Sequence, residues 1–320
     1  MFRALLAIAL LAAVPVQAQE WPTRPVRMIV PFPPGGGTDT VARPLAAKLA
    51  QILGQQVVID NRGGAGGTIG AGLAAKAPPD GYTVLLYSVH GAVAAAAYKT
   101  LPYDLQKDLV PVTTAAIFPD VLVAANRVPA KTLPELIAWA KANPGKLNCG
   151  SAGNGTSRHL SCELFNAAAG VNATHIPYRG GNPAMQDLIA GRIDYSCNII
   201  TSAYPQVRDQ QIKAQTLLGA KRAPLLPDLA TAQEQGMAGF DAGSWNVVFV
   251  PKGTPDPVVR KLNAAMSDAM DSPETAKRLL SIGIDIAVKD HRSPAYAGQF
   301  VAQEIKKYEA PIKASGISIE

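Results

Sequence analysis

The sequence predicts an α/β fold in two lobes, and three observations carry that expectation. Strand-like apolar runs alternate with helix-like stretches along most of the chain, the pattern of sheets covered by helices. Two loops rich in glycine and hydroxyl groups, Pro33-Pro34-Gly35-Gly36-Gly37-Thr38-Asp39 and Gly150-Ser151-Ala152-Gly153-Asn154-Gly155-Thr156-Ser157, each follow such a run and open a helical pattern, about 115 residues apart. The chain has 320 residues, 48% of them apolar, enough for two cores of ordinary size.

The first element is a secretory leader pattern. Met1-Phe2-Arg3 is a short positive segment, Ala4 to Val14 is apolar, and Val16-Gln17-Ala18 is a small-x-small cleavage site. That apolar run is too short to span a bilayer, which needs roughly 20 residues. No cysteine stands near the cleavage point to carry a lipid. The expectation is a signal peptide over residues 1–18 and a mature protein that is soluble outside the cytoplasm.

Val26 to Val30 is the first strand. Val41, Leu45, Leu49 and Ile52 then recur at helical spacing as far as Gly54, with Pro44 predicting a kink or a late start. Gln56 to Asp60 and Thr83 to Tyr87 are the next strands, and Asn61 to Gly67 opens a small-residue helix between them. A second lobe starts near Asp120, with a strand over Val121 to Ala125 and a capping box at Thr132-Leu133-Pro134-Glu135. Leu147 to Gly150 feeds the second glycine loop, and Ser157 to Ala169 follows as a helix. Ile176, Ile193 and Ala214 to Leu218 mark further strands, with a helix from Asn182-Pro183 to Gly191. Asn182-Pro183, Thr254-Pro255, Ser272-Pro273 and Ser293-Pro294 repeat one helix-start signal, a capping side chain before proline. Lys221 to Pro227 is the expected return crossing, Asn246 to Val250 a late strand, and three helical stretches end the chain. The sheets are expected to be largely parallel. The lobes would be residues 19–119 with 228–320, and residues 120–227, hinged on two crossings.

The formal net charge of +6 falls by one when Arg3 leaves with the leader, and lysines and arginines are spread without a basic block. Nucleic acid is therefore not an expected partner. Cys149, Cys162 and Cys197 allow one disulfide with a free thiol, or three buried thiols, the simpler reading; no C-x-x-C pair supports zinc or a redox motif. No cofactor or metal is called for.

Both glycine loops place a helix N-terminus after a flexible backbone. Such an end has free N–H groups and about half a positive charge, so it attracts anions. Two of them in two lobes point to an anion held between lobes. The second loop is not a P-loop, because Thr156-Ser157-Arg158 stands where lysine would be needed. A hydrolase is disfavoured: there is no Gly-x-Ser-x-Gly elbow, and His90, His159, His175 and His291 have no metal-ligand spacing. His159 lies near Ser151 and Ser157 but is more simply a packing or surface residue. Asp39 is an unexpected residue beside an anion, better suited to accept backbone N–H groups. Arg179 either forks onto a second ligand carboxylate or pairs with an acid such as Asp187.

Several motifs resemble the Bug family, the substrate-binding proteins of tripartite tricarboxylate transporters. They are Trp21-Pro22-Thr23-Arg24-Pro25-Val26-Arg27 with the Gly35 to Asp39 loop, Asp60-Asn61-Arg62-Gly63-Gly64-Ala65-Gly66-Gly67, Asp80-Gly81-Tyr82-Thr83, Leu101-Pro102-Tyr103-Asp104, the Gly150 to Ser157 loop, and Tyr178-Arg179-Gly180 leading to Gly191-Arg192-Ile193-Asp194. The resemblance covers essentially the whole mature chain. It implies a periplasmic, two-lobed "Venus flytrap" without catalysis of its own, a monomer that closes on a small organic carboxylate and delivers it to integral-membrane transporter subunits. Carried to matching positions, the implied ligand contacts are Gly36, Gly37, Thr38 and Asp39 in one jaw. In the other they are Ser151, Asn154, Gly155, Thr156 and Ser157. Ser88 is a third contact, and Tyr178, Asp194 and Asn198 are pocket walls. The alternatives are an enzyme acting on a carboxylated substrate and a sensor module presenting its ligand to a membrane kinase.

Overall fold

Residues 21–315 are described by the computed structural model, so the leader expected over residues 1–18 lies outside them. In the first sheet, β1 (Val26–Val30) pairs in parallel with both β2 (Val57–Asn61) and β3 (Thr83–Ser88). Helix α1 (Gly37–Leu53) connects β1 to β2, α2 (Thr68–Ala75) precedes β3, and α3 (His90–Ala97) follows it. Strand β4 (Leu109–Phe118) joins the same sheet; after Pro119 alone, β5 (Asp120–Ala125) belongs to the second.

The second sheet adds β6 (Leu147–Ser151), β7 (Ala173–Pro177), β8 (Tyr195–Ile199) and β9 (Ile212–Leu217), in the order β7-β6-β8-β5-β9. Its helices are α4 (Leu133–Ala142), α5 (Ser157–Ala169), α6 (Gly181–Ile189) and α7 (Ile200–Arg208). The chain returns through β10 (Ser244–Pro251), which lies between β3 and β4. It ends with α8 (Asp256–Asp271), α9 (Pro273–Leu280), β11 (Asp285–Ile286) and α10 (Pro294–Ser315).

The sheets are mixed, which corrects the expectation of largely parallel ones. Strand β10 runs antiparallel to β3 and β4, and β5 runs antiparallel to β8 and β9. A strand that carries the chain out of a sheet and one that brings it back point opposite ways, so the double crossing dictates these pairings.

Apolar side chains fill both faces of the first sheet, with Leu45, Leu86, Val248 and Leu262 in one cluster and Leu85, Val247 and Val301 in the other. The alternation of Leu85 with Leu86 and of Val247 with Val248 is the period-two signature of a strand buried on both sides. The second sheet has its own cluster around Leu122, Phe165, Leu188 and Tyr195. Residues 228–242, expected with the first sheet, pack on the second. Ala232, Phe240 and Ala242 are buried in its cluster, and the Ala232 and Ala242 amides donate to Leu217 and Leu218 carbonyls at 2.8 and 2.7 Å. The return crossing therefore falls at Gly243, where Ser244 Oγ donates to both carboxyl oxygens of Asp120 at 3.0 and 3.1 Å, tying one crossing to the other.

Local signals are realised unevenly. Helix α1 begins at Gly37 and continues through Pro44 to a left-handed Gly54, so the late start does not occur. Thr132 accepts from the Glu135 amide at 3.4 Å, while Glu135 reaches back to the Lys131 amide, one residue before the cap. Ser272 and Ser293 cap their helices as expected. Asn182 and Thr254 do not, since α6 opens after Gly180 and the Thr254 hydroxyl donates to the Pro251 carbonyl. Cys149 and Cys162 form a disulfide between β6 and α5, and Cys197 is a buried free thiol.

Candidate functional site

The first jaw begins where β1 runs into Pro33. Gly35 adopts φ +79°, a left-handed conformation that favours glycine, and its amide donates to Asp39 Oδ2 at 2.8 Å. The buried Asp39 carboxylate also accepts from Asn61 Nδ2 at 3.0 Å and from Arg43 Nε and Nη2 at 2.7 and 3.0 Å. Burial alone would raise the Asp39 pKa, but the Arg43, Gly35 and Asn61 donors outweigh it and hold the carboxyl below its ordinary value. Asp39 thus braces the loop, its carboxylate occupied by four donors of this chain. Gly36 caps α1 without a side-chain bond, leaving first-turn amides open. A Cβ on Gly37 would stand 3.0 Å from Ile199 Cδ1, so here the first jaw meets the end of β8. Thr38 Oγ1 accepts from Asn246 Nδ2 at 3.2 Å, and Asn246 Oδ1 is buried with no hydrogen-bond partner.

Ser88 ends β3 with its Oγ 2.8 Å from His90 Nδ1. The other ring nitrogen, His90 Nε2, lies 3.3 Å from Ser157 Oγ, so one imidazole joins hydroxyls from the two halves of the molecule. Burial and the nearby Arg158 charge push the His90 pKa down to about 4, which keeps the ring neutral at pH 7.

The second jaw is held by its own loop. Gly155 adopts φ +69° and donates to His159 Nδ1 at 3.1 Å. Thr156 caps α5, accepting from the His159 amide at 3.4 Å and donating to the Gly153 carbonyl at 2.7 Å. Ser157 opens the helix toward His90, and Asn154 is exposed in the loop. Ser151 is fully buried: its Oγ is 2.6 Å from His175 Nε2 and accepts the Gly153 amide at 3.1 Å. It stabilises the loop from inside.

Two of the expected pocket walls stand elsewhere. Tyr178 donates to Asp187 at 2.7 Å, and its amide donates to the Ser151 carbonyl, so it supports the back of the loop. Asp194 accepts the Asn148 amide at 2.8 Å and pairs with Arg127 at 2.8 Å, near the end of β6 away from Ser151. Asn198 is buried beside Ile199, next to the first jaw, and donates to Ser196 Oγ at 3.0 Å. Arg179 is exposed; Asp187, its suggested partner, is instead bound by Arg192 and Tyr178.

The site thus brings together Gly37, Thr38, Ser88 and Ser157 from the sequence reading, with His90 between Ser88 and Ser157. Two further members escaped it, Asn246 and Arg158. Asn246 is the polar residue inside the apolar run Trp245 to Val250. Arg158 is a cation in the first turn of a helix, where anions are the favoured residues.

None of the three Ser-His contacts has the geometry that activates a nucleophile. His90 has a hydroxyl on each side and no carboxylate on Nδ1, and its low pKa makes it a weak base. Ser151 has no exposed surface for a substrate. Among the described residues no cluster of His, Cys, Asp and Glu could hold a metal ion, and no helix is long and apolar enough to cross a membrane.

Comparison with known proteins agrees with this architecture. The chain is 42% identical over 268 residues to the UPF0065 protein in the tcbD-tcbE intergenic region of a Pseudomonas species, covering 83% of this chain and 80% of that one. The solved structure of the periplasmic binding protein BugD superposes with TM-score 0.83 at 36% identity, covering 94% of this chain and 100% of that one. MatC of Rhodopseudomonas palustris with bound malate superposes with TM-score 0.81 at 39% identity, covering 91% and 99%. The family model described as the tripartite tricarboxylate transporter family receptor matches residues 41–317. With residues 41–317 matched by the family model and most of its length superposing on these binding proteins, the chain belongs to the tripartite tricarboxylate transporter receptor family.

Proposed function

We propose that this protein is an extracytoplasmic solute-binding receptor. It captures a small organic carboxylate between two lobes and hands it to the membrane subunits of a tripartite tricarboxylate transporter. The observation that carries this reading is the meeting of the α1 N-terminus, Ser88 with His90, and the α5 N-terminus at Ser157, polar groups from two sheets brought to one place. The malate in MatC supports the choice of a carboxylate, and the periplasmic BugD supports the compartment. The leader over residues 1–18 would be removed on export, and the receptor would act as a monomer without turning its ligand over.

The lobes we propose are residues 19–119 with 243–320, and residues 120–242, hinged where Asp120 and Ser244 join the crossings. A micromolar ligand needs about 8 kcal/mol. One helix terminus contributes about 0.3 to 2 kcal/mol, so affinity rests on several convergent bonds and the exclusion of water on closure. The test is a thermal-shift panel of small carboxylates on ligand-free mature protein. A ligand at 100 times its Kd adds about 2.7 kcal/mol of stability, a shift of several degrees. A carboxylate hit supports the reading; silence across dicarboxylates, aromatic acids and citrate-like acids opposes it.

A further inference from the structure

We propose that the protein carries a second small-molecule site behind the crossings, apart from the jaws, which takes an amine with a flat apolar body. A cavity of about 630 Å³ lies at the β11 edge of the first sheet, beside Pro119 and Gly243. That volume is in the range of pockets that enclose small organic molecules. Gly37, Thr38, Ser88, His90 and Ser157 do not line it; β1 and β3, which feed the first jaw, lie on the other side of β10.

The walls are mostly apolar. Ile117, Phe118 and Trp245 come from the sheet, Leu280 from α9, Val288 from the segment after β11 and Phe300 from α10. Leu280 and Val288 are 47% and 57% exposed, so the apolar surface continues to the cavity mouth. Phe300 meets Trp245 edge-on with ring centroids 5.4 Å apart and stacks on Tyr296 at 6.1 Å. A flat body packs against such rings, and a cation is drawn to their faces.

The charged groups select the sign of the ligand. Arg292 is spent on Asp271 at 2.8 Å and on the Ala287 carbonyl. Lys307 is spent on Glu304 at 3.0 Å, whose carboxylate also accepts Trp245 Nε1 at 2.7 Å, and Asp241 accepts the Gly243 amide at 3.0 Å. Asp285 differs: among the described residues its half-buried carboxylate has no hydrogen-bond donor, and the exposed Lys221 acts on it through charge alone. Burial pushes that carboxyl up, and an ammonium group set against it would replace the hydration it has lost.

Gly219, Ala220, Lys221 and Asp241 bring the second lobe to the same cavity. Its shape therefore depends on how the lobes stand, and in this arrangement the jaws touch at Ser157 and His90. An occupant fitted to the cavity favours that arrangement and, with it, the jaw ligand. This coupling rests on the carboxylate reading above; the amine site does not.

The test is a calorimetric titration of ligand-free protein with tryptamine and with tryptophol, which has the same indole body and a hydroxyl in place of the ammonium. Wild type is expected to bind tryptamine about tenfold or more tighter than tryptophol, the range of a charge-assisted hydrogen bond. Asp285→Asn should bring the two affinities within about threefold of each other. Val288→Lys, at an exposed position of the mouth, should weaken tryptamine more than tryptophol, which decides the matter should the asparagine variant not fold. Ser157→Ala should leave tryptamine binding unchanged, separating this site from the jaws. With tryptamine saturating, the acid that stabilises the protein most in the thermal panel should bind about fivefold or more tighter.

No saturation by tryptamine in the millimolar range would overturn the site, as would a preference that survives both Asp285→Asn and Val288→Lys or is lost in Ser157→Ala. Tryptamine binding without effect on the acid would overturn the coupling alone. Failure of every acid in the panel would remove the carboxylate reading and the coupling, while the tryptamine titration still decides the site.

Discussion

Ser157 Oγ lies 3.3 Å from His90 Nε2, a hydroxyl carried by the second sheet's helix against an imidazole that follows the first sheet's central strands. The contact joins the two jaws through groups that can both donate and accept. Ser157→Ala is expected to weaken carboxylate binding about tenfold while changing stability by less than about 0.5 kcal/mol. Thr156→Ala should differ, since Thr156 caps α5; loss of the cap costs about 1 kcal/mol. Chemical denaturation with parallel titrations separates the two effects.

Asp39 is expected to act on stability. Asp39→Asn removes the charge that holds Arg43 and the Gly35 amide, at a cost of about 2 kcal/mol. Because the folded pKa lies below the ordinary value, the wild-type contribution is full above 3.8 and is lost as pH falls through the lowered folded value. Urea unfolding of wild type and variant at neutral and acid pH should show the difference shrinking in acid.

Acid should also destabilise the jaws through two neutral histidines. Burial and Arg158 hold His90 at about 4, and burial and His175 hold His159 at about 4. The unfolded chain takes up protons first, so this stability is complete above 6.5 and is lost as pH falls toward 4. His159 accepts the Gly155 amide on Nδ1, and protonation removes that acceptor. His90→Gln should flatten the dependence of melting temperature on pH across this interval; a curve unchanged in shape would contradict the assignment.

Asp120 should give ligand binding the opposite dependence. Burial raises its carboxyl to about 7, against the opposing influence of Ser244, Arg158 and Lys307, while Asp241 adds to the rise. Above that value it ionises near Arg158 and competes with an anionic ligand. Affinity for the acid that stabilises the protein most in the thermal panel is expected to fall between pH 6 and 8 in wild type and to stay level in Asp120→Asn, as titrations at three pH values will show.

The sequence made some elements plain because their signals are local. Val26–Val30 and Ser157–Ala169 were legible as the apolar run before one glycine loop and the helical stretch after the other. Strand β4 was not: Pro111, paired threonines and alanines hide a strand whose stability comes from its neighbour β10. Helices α3 and α7 lack side-chain caps, and α7 contains Pro205, so packing rather than propensity forms them. In the site, the two glycine loops were visible, but their inward and outward faces were not. Asp39, Ser151, Tyr178 and Asp194 carry the residue types of a polar pocket and spend them on the loops and strands behind it. Asn246 comes from a strand far along the chain, and only the crossing brings it to Thr38.

The most direct test of the account is a calorimetric titration of ligand-free wild type and Ser157→Ala with the acid that stabilises the protein most in the thermal panel. The account predicts one saturable site per chain in wild type and an affinity lower by about tenfold in the variant. Equal affinity in the two proteins would contradict binding between the jaws.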